Sequence, residues 1–199
     1  MLTSVIRERI EDRLAELPRL TIVWNGVKPF SADEPAGDLL ASIIGSGKTS
    51  RLYKKLVFEK QIASGAAAFD LTAELGGYFS AFAVAKAGHT TEELLPLVDE
   101  IIDDIKKNGV STAELERARR KIIAQRLRGV ERIGGFGGKA DLLNEYETHL
   151  GDPGYLAKDI ARHRAVTAAD VQAFANKYLT GDRRLILETV PAKKAVSLR

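Results

Sequence analysis

IASGAAAFDLTAELGGYFSAFAVAK, residues 62–86, is the stretch on which the reading of the fold turns. Two β-prone runs, Ile62–Leu71 and Tyr78–Lys86, flank Glu74-Leu75-Gly76-Gly77. In the second run Tyr78, Ser80, Phe82 and Val84 alternate with Phe79 and Ala81, so both faces carry apolar side chains. A glycine-bearing connection between two such runs predicts an antiparallel hairpin.

Upstream of the hairpin, Leu20-Thr-Ile-Val-Trp24 is a short β-prone run closed by Asn25-Gly26 and Pro29. Ser31 or Asp33 can cap a helix whose apolar residues Leu39, Leu40, Ile43 and Ile44 have helical spacing, and Gly45 and Gly47 stop it. A second helix follows, with Leu52, Tyr53, Leu56 and Val57 on one stripe. Downstream, Thr90 or Thr91 opens a long helix through Ile105 that ends at Asn108-Gly109. Ser111-Thr-Ala-Glu114 has the spacing of a capping box and starts a strongly charged helix to about Arg128. After Gly134-Gly-Phe-Gly-Gly138, Ala140–Leu150 reads as helical, and Asp152-Pro153 reads as an N-cap with proline at the first helical position. Thr167-Ala-Ala-Asp170 starts a last helix with Val171, Phe174 and Tyr178 on its stripe, and Leu185–Val190 is a final strand ended by Pro191. Strands separated by helices, with one hairpin among them, predict an α+β domain. Its sheet is mixed and mostly antiparallel, with helices packed on one face. The expected organisation is a charged lead-in over residues 1–18, one domain over 19–192 and a tail over 193–199.

A chain of 199 residues suits one domain, and at that size folding buries ~70% of the surface the unfolded chain exposes. Thirty basic residues stand against 27 acidic ones, for a net charge of +3. The two signs are interspersed, which argues against a nucleic-acid binder with one basic face. The absence of cysteine excludes disulfides, thiolate metal sites and a cysteine nucleophile. No apolar run approaches the ~20 residues of a membrane span. The opening MLTSVIRERIEDRLAEL carries charges through its middle and is not a signal peptide as it stands. The expectation is a soluble chain of the bacterial cytoplasm or periplasm, with no membrane partner.

Catalytic motifs are weak. Gly45-Ser-Gly-Lys-Thr49 looks like the end of a phosphate-binding loop, but Ser42 stands where that loop needs glycine and the preceding residues are helical. A helix C-cap followed by the next N-cap explains the same letters. His89, His149 and His163 have no zinc-ligand spacing and read as three surface imidazoles. There is no Gly-x-Ser-x-Gly elbow, and pairs such as Asp103-Asp104 and Glu92-Glu93 lie on helices rich in opposite charge. The one basic cluster, Arg117, Arg119, Arg120 and Lys121 with Arg126 and Arg128, lacks interleaved aromatics and spreads around an exposed helix. Gly134–Gly138 is either a hinge between helices or a loop that a partner approaches closely, since each glycine there loses extra entropy on folding.

Several stretches in order resemble the insulinase/pitrilysin superfamily of zinc metallopeptidases, close to its processing-peptidase branch. They begin at Leu17-Pro-Arg-Leu20 with Val23-Trp24 and are strongest at Ala41-Ser-Ile-Ile-Gly-Ser-Gly-Lys-Thr-Ser-Arg-Leu-Tyr53. They continue through Glu59-Lys-Gln-Ile-Ala63, Gly76-Gly-Tyr-Phe79 and Gly109-Val-Ser-Thr-Ala-Glu-Leu115. Val166-Thr-Ala-Ala-Asp-Val171, Lys177-Tyr-Leu179 and Val190-Pro191 close the series.

The resemblance is to the second of two similar α+β domains. The first carries the inverted zinc motif His-x-x-Glu-His, which none of the three histidines here belongs to. The resemblance therefore implies no catalytic and no metal-ligating residue in this chain. Zinc is expected in a partner half, with which this one would close like a clamshell around an unfolded peptide. Some members contribute an arginine and a tyrosine from this half; near Phe69–Tyr78 the hairpin carries Leu71 and Thr72 instead. Candidate substrate-facing residues are Gly45, Gly47, Phe69 and Tyr78, with Gly45–Ser50 at the position of a glycine-rich loop near substrate. The expected function is that of a non-catalytic substrate-chamber domain of a zinc metalloendopeptidase. The alternative is an inactive scaffold subunit of the same family. The expected partners are the zinc-bearing half, an extended peptide and, in isolation, a second copy in weak self-association.

Overall fold

The computed structural model describes residues 1–192, so the expected tail over 193–199 lies outside the described residues. In chain order the elements are β1 (Ile6–Asp12), β2 (Arg19–Asn25), α1 (Glu34–Gly45), a π-helical segment (Tyr53–Glu59), β3 (Ala63–Leu71) and β4 (Tyr78–Ala85). There follow α2 (Thr91–Asn108), α3 (Thr112–Gly129), α4 (Lys139–Leu150), α5 (Leu156–Ala165), α6 (Ala168–Tyr178) and β5 (Arg184–Pro191). The strands form one sheet in the order β1-β5-β2-β4-β3. Every pairing in it is antiparallel except β1 with β5.

The period-two alternation of the strands decides which face the helices cover. On β2, Leu20, Ile22 and Trp24 are fully buried while Arg19, Thr21 and Val23 point the other way. On β4, Phe79, Ala81, Ala83 and Ala85 are buried on the same side. Leu39, Leu40 and Ile44 of α1, Leu94, Val98 and Ile105 of α2, and Val171 and Phe174 of α6 complete this core. The fold class read from the sequence is the fold observed. No described helix is long and apolar enough to cross a membrane.

The capping box read at Ser111–Glu114 is present, and the helix start read at Thr167–Asp170 has a second one. Glu114 donates its backbone N–H to Ser111 Oγ (3.3 Å) and its carboxylate accepts from Ser111 N–H (2.9 Å). Asp170 and Thr167 repeat the exchange at 3.2 and 2.8 Å.

Two local readings are corrected. Residues 1–18 are not simply a lead-in, because Ile6–Asp12 pair with β5 from Ile6↔Leu185 to Asp12↔Pro191. Nearly all of β1 is exposed, so backbone hydrogen bonding rather than burial forms it, and no apolar period marks it. Asp152-Pro153 does not start α5, whose N-cap is Tyr155. The Asp152 carboxylate instead accepts from Gly154 N–H (3.1 Å), closing a turn before the helix.

Candidate functional site

The face of the sheet away from the helices carries a row of aromatic side chains. Leu71 pairs with Tyr78 and Phe69 with Ser80, which puts Phe69 and Tyr78 diagonally across the hairpin. Their ring centroids are 6.3 Å apart in an edge arrangement, and Phe82 extends the row at 6.4 Å from Phe69. The Arg19 guanidinium lies 4.1 Å from the Phe82 ring centre, a cation–π contact that ends the row. Phe69 and Tyr78 are about 36% and 40% exposed, so this apolar surface is open. Beside it, β3 is the last strand of the sheet and has no strand on its far side among the described residues.

Of the four candidate residues, the structure therefore brings Phe69 and Tyr78 together and separates the glycines from them. Gly45 is buried where α1 meets β3, and a Cβ there would lie 1.8 Å from Ala68 N. That corrects its reading as a substrate-facing residue: glycine is needed for helix–strand contact. Gly47 is exposed in the helical layer with φ +84°, and a Cβ there would lie 3.6 Å from Lys121 Nζ. The Ser50-Arg51-Leu52 element that follows is an anchor. Arg51 donates to Glu114 at 2.8 and 3.0 Å, to Asp104 at 2.6 Å and to the Gly109 carbonyl at 3.2 Å.

Behind β3 lies a polar network that sequence reasoning missed. His163 is fully buried rather than a surface imidazole; its Nε2 is 3.0 Å from Asp38 and its Nδ1 is 2.9 Å from the Asp159 carbonyl. Asp159 also accepts from Tyr146 (2.9 Å) and pairs with Arg126 (2.8 Å). Arg126 is thus drawn out of the basic cluster into the interior. Arg162 joins Glu34 at 3.2 Å. Burial, with Asp38 adding to it and Arg162 opposing it, pushes the Glu34 carboxyl up to about 7. Asp70 has no hydrogen-bond partner for either buried oxygen, and burial followed by the charges of Asp38 and Glu34 pushes it up to about 7. The recoverable signal was the Asp159–Arg162–His163 spacing, which puts three ionisable groups on one face of α5.

These residues do not fit zinc. Both ring nitrogens of His163 are taken, His89 Nδ1 sits 2.7 Å from Glu93, and the His149 ring packs 5.8 Å from Phe30. Among the described residues no three side chains of metal-binding type gather as a cation would require. Next to the network a cavity of about 460 Å³ opens between α1, β3, α3 and α4, with Asp38, Ser42, Asp70, Lys121, Arg126 and Phe136 in its wall.

Comparison with known structures follows the same architecture. A protease from Helicobacter pylori superposes with a TM-score of 0.84 at 20% identity, covering 94% of this chain and 45% of that one. A peptidase M16 inactive domain from Pseudomonas fluorescens matches with TM-score 0.74 at 20% identity, over 96% of this chain and 44% of that one. An inactive peptidase domain from Bordetella parapertussis matches with TM-score 0.78 at 22% identity, over 94% and 96% of the two chains. The chain thus spans less than half of the first two proteins and nearly all of the third. A search of the curated proteins gave no match. Residues 3–122 match the family model described as the peptidase M16 inactive domain, and the chain belongs to that family.

Proposed function

We propose that this chain is a non-catalytic wall of a substrate chamber in a zinc metalloendopeptidase, facing a second half that supplies the zinc and the general base. The observation that carries the reading is the open aromatic row of Phe69, Tyr78 and Phe82 beside the terminal strand β3. An extended peptide adds main-chain hydrogen bonds at a strand edge and sets alternate side chains on the sheet face, so such an edge with an aromatic bed suits an unfolded substrate. Membership of an inactive-domain family supports the division of labour between two halves.

The test is to mix the chain with a zinc-bearing half from the same polypeptide or operon. Association should be seen by size-exclusion chromatography, with cleavage of an unfolded peptide that neither piece performs alone. Phe69→Ala with Tyr78→Ala should cut that cleavage ~10-fold or more while leaving the melting temperature within a few degrees, because both rings are partly exposed. Association without cleavage would assign the chain a scaffold role instead.

A further inference from the structure

The cavity behind β3 is unlike a structural void in the charges that line it. Asp38 is already held by His163 (3.0 Å) and Arg126 (3.6 Å). Lys121 and Arg132, on the same wall, have only backbone and hydroxyl oxygens as partners: Ser46 for Lys121 (3.1 Å to its carbonyl) and the Phe136 carbonyl for Arg132 (3.3 Å). Neither is paired with a carboxylate among the described residues. Of the remaining acids, Asp70 is buried and raised to about 7, and Glu145 stands at the exposed edge of the wall; neither is paired with Lys121 or Arg132. What these two cations lack is a carboxylate partner.

Its mouth is also built rather than loose. The segment between α3 and α4 folds on itself. Lys139 N–H donates to the Arg132 carbonyl (2.8 Å), Ala140 N–H to Ile133 (3.0 Å) and Gly137 N–H to the Asp141 carboxylate (2.8 Å). Two glycines are demanded by close backbone approach: a Cβ on Gly129, the last residue of α3, would lie 2.4 Å from the Gly137 carbonyl oxygen, and one on Gly138 2.5 Å from that of Gly134. This frame holds Phe136 at the cavity wall with about 97% of its surface in water. A ring so open to water at the lip of the cavity is free to cover a ligand that enters it. The residues Ala68, Phe69 and Asp70 of β3 form the opposite lip.

We propose that this cavity binds a carboxylate carried by an extended peptide lying along β3, with Lys121 and Arg132 as its donors and Phe136 as its apolar cover. The proposal rests on the chamber-wall reading for the peptide's course and adds a chemical preference that the reading does not contain. The carboxylate is that of an acidic side chain or of a chain terminus.

The test uses the full chain and fluorescein-labelled alanine–threonine peptides, read by anisotropy. One carries a central glutamate and an amidated end, one a central glutamine with the same end, one a central lysine, and one a glutamine with a free terminal carboxylate. The glutamate peptide should bind about tenfold tighter than its amidated glutamine counterpart, the scale of one charge-assisted hydrogen-bonded contact. Lys121→Ala with Arg132→Ala should erase that advantage without altering the circular dichroism or melting temperature. Phe136→Ala should weaken the glutamate and glutamine peptides alike. Tight binding confined to the free-terminus peptide would support the site with the terminus as its source. Equal binding of glutamate and glutamine, a preference for lysine, or no binding of any peptide overturns the proposal. Should the mixed halves still cleave peptide under any of those results, the chamber-wall reading stands and the carboxylate site alone is lost.

Discussion

Arg51 and Glu114 meet side by side, Nε to Oε1 at 2.8 Å and Nη2 to Oε2 at 3.0 Å, and so clamp the segment after α1 onto the start of α3. The same carboxylate closes the Ser111 capping box, which makes Glu114 the shared member of two contacts. Both side chains are about 19% exposed.

Glu114→Gln should therefore destabilise the domain by ~1–3 kcal/mol in urea denaturation, since it weakens a charge-assisted pair and a cap together. Arg51→Lys should recover little, because an ammonium cannot reproduce the two parallel bonds. Burial works to raise the Glu114 carboxyl, but the bonds from Arg51 and Ser111 prevail and hold it at about 2. A carboxyl depressed in the folded state contributes stability above its unfolded value near 4.5. That contribution is lost as the pH falls from there to about 2, and Glu114→Gln should flatten this acid limb of the stability curve.

Asp70 and Glu34 act in the opposite sense. Each carboxyl is raised to about 7 from ordinary values of 3.8 and 4.5, so folding is penalised once they must ionise. Stability should be full below about pH 4 as far as these groups are concerned, should decline as the pH rises toward 7, and should level off above it. Asp70→Asn should raise stability at pH 8 by on the order of 2 kcal/mol and change little at pH 4. Equal effects at the two pH values would show that Asp70 does not carry this penalty.

The two glycines of the α1 turn should respond differently to alanine. Gly45→Ala places a methyl against the Ala67–Ala68 backbone, and backbone cannot give way as a side-chain tip can. A loss of ~3 kcal/mol or more, or failure to fold, is expected from calorimetry. Gly47→Ala meets only the flexible tip of Lys121, at an ordinary contact distance of 3.6 Å, and has mainly its positive φ to contend with, so ~1 kcal/mol is the expected cost.

β1 should be the first strand to open. It contributes no buried apolar side chain, and beyond β5 its strand residues are tied, among the described residues, by the Ala192 N–H on the Asp12 carbonyl and by Arg9 with Glu92, an exposed pair worth little. Amide hydrogen exchange over residues 6–12 should run faster than over β2 or β4 by ~10-fold or more. A chain starting at residue 13 should still fold and keep a cooperative melt.

The parts of this molecule that could be read from its letters are those whose cause is local. The hairpin announced itself because alternation and its glycine turn lie within one stretch, and the same spacing put Phe69 and Tyr78 near each other. Ser111–Glu114 was readable as a capping box, and Thr167–Asp170 as a helix start, because a cap is completed within four residues. What escaped was long-range. Asp38 and His163 stand 125 positions apart, so nothing near His163 shows that its ring will be sealed inside. Gly45 looked like a helix stop because the β3 backbone pressing on it belongs to a later segment. β1 was invisible for a third reason: a strand exposed on both faces has no apolar period to display.

The parallel pairing of β1 with β5 has a mechanical consequence. Ile6 lies beside Leu185 and Asp12 beside Pro191, so the entering end of β1 and the leaving end of β5 are at opposite ends of the ladder. Tension applied between those two ends runs along the strands, across bonds that lie transverse to it. The whole ladder must then shear at once, where an antiparallel pair pulled from its two free ends would unzip bond by bond. A strand that frays readily under thermal motion can thus be the one that resists when the chain is stretched, and single-molecule pulling from the two ends of the chain should show a force peak that removing β1 abolishes.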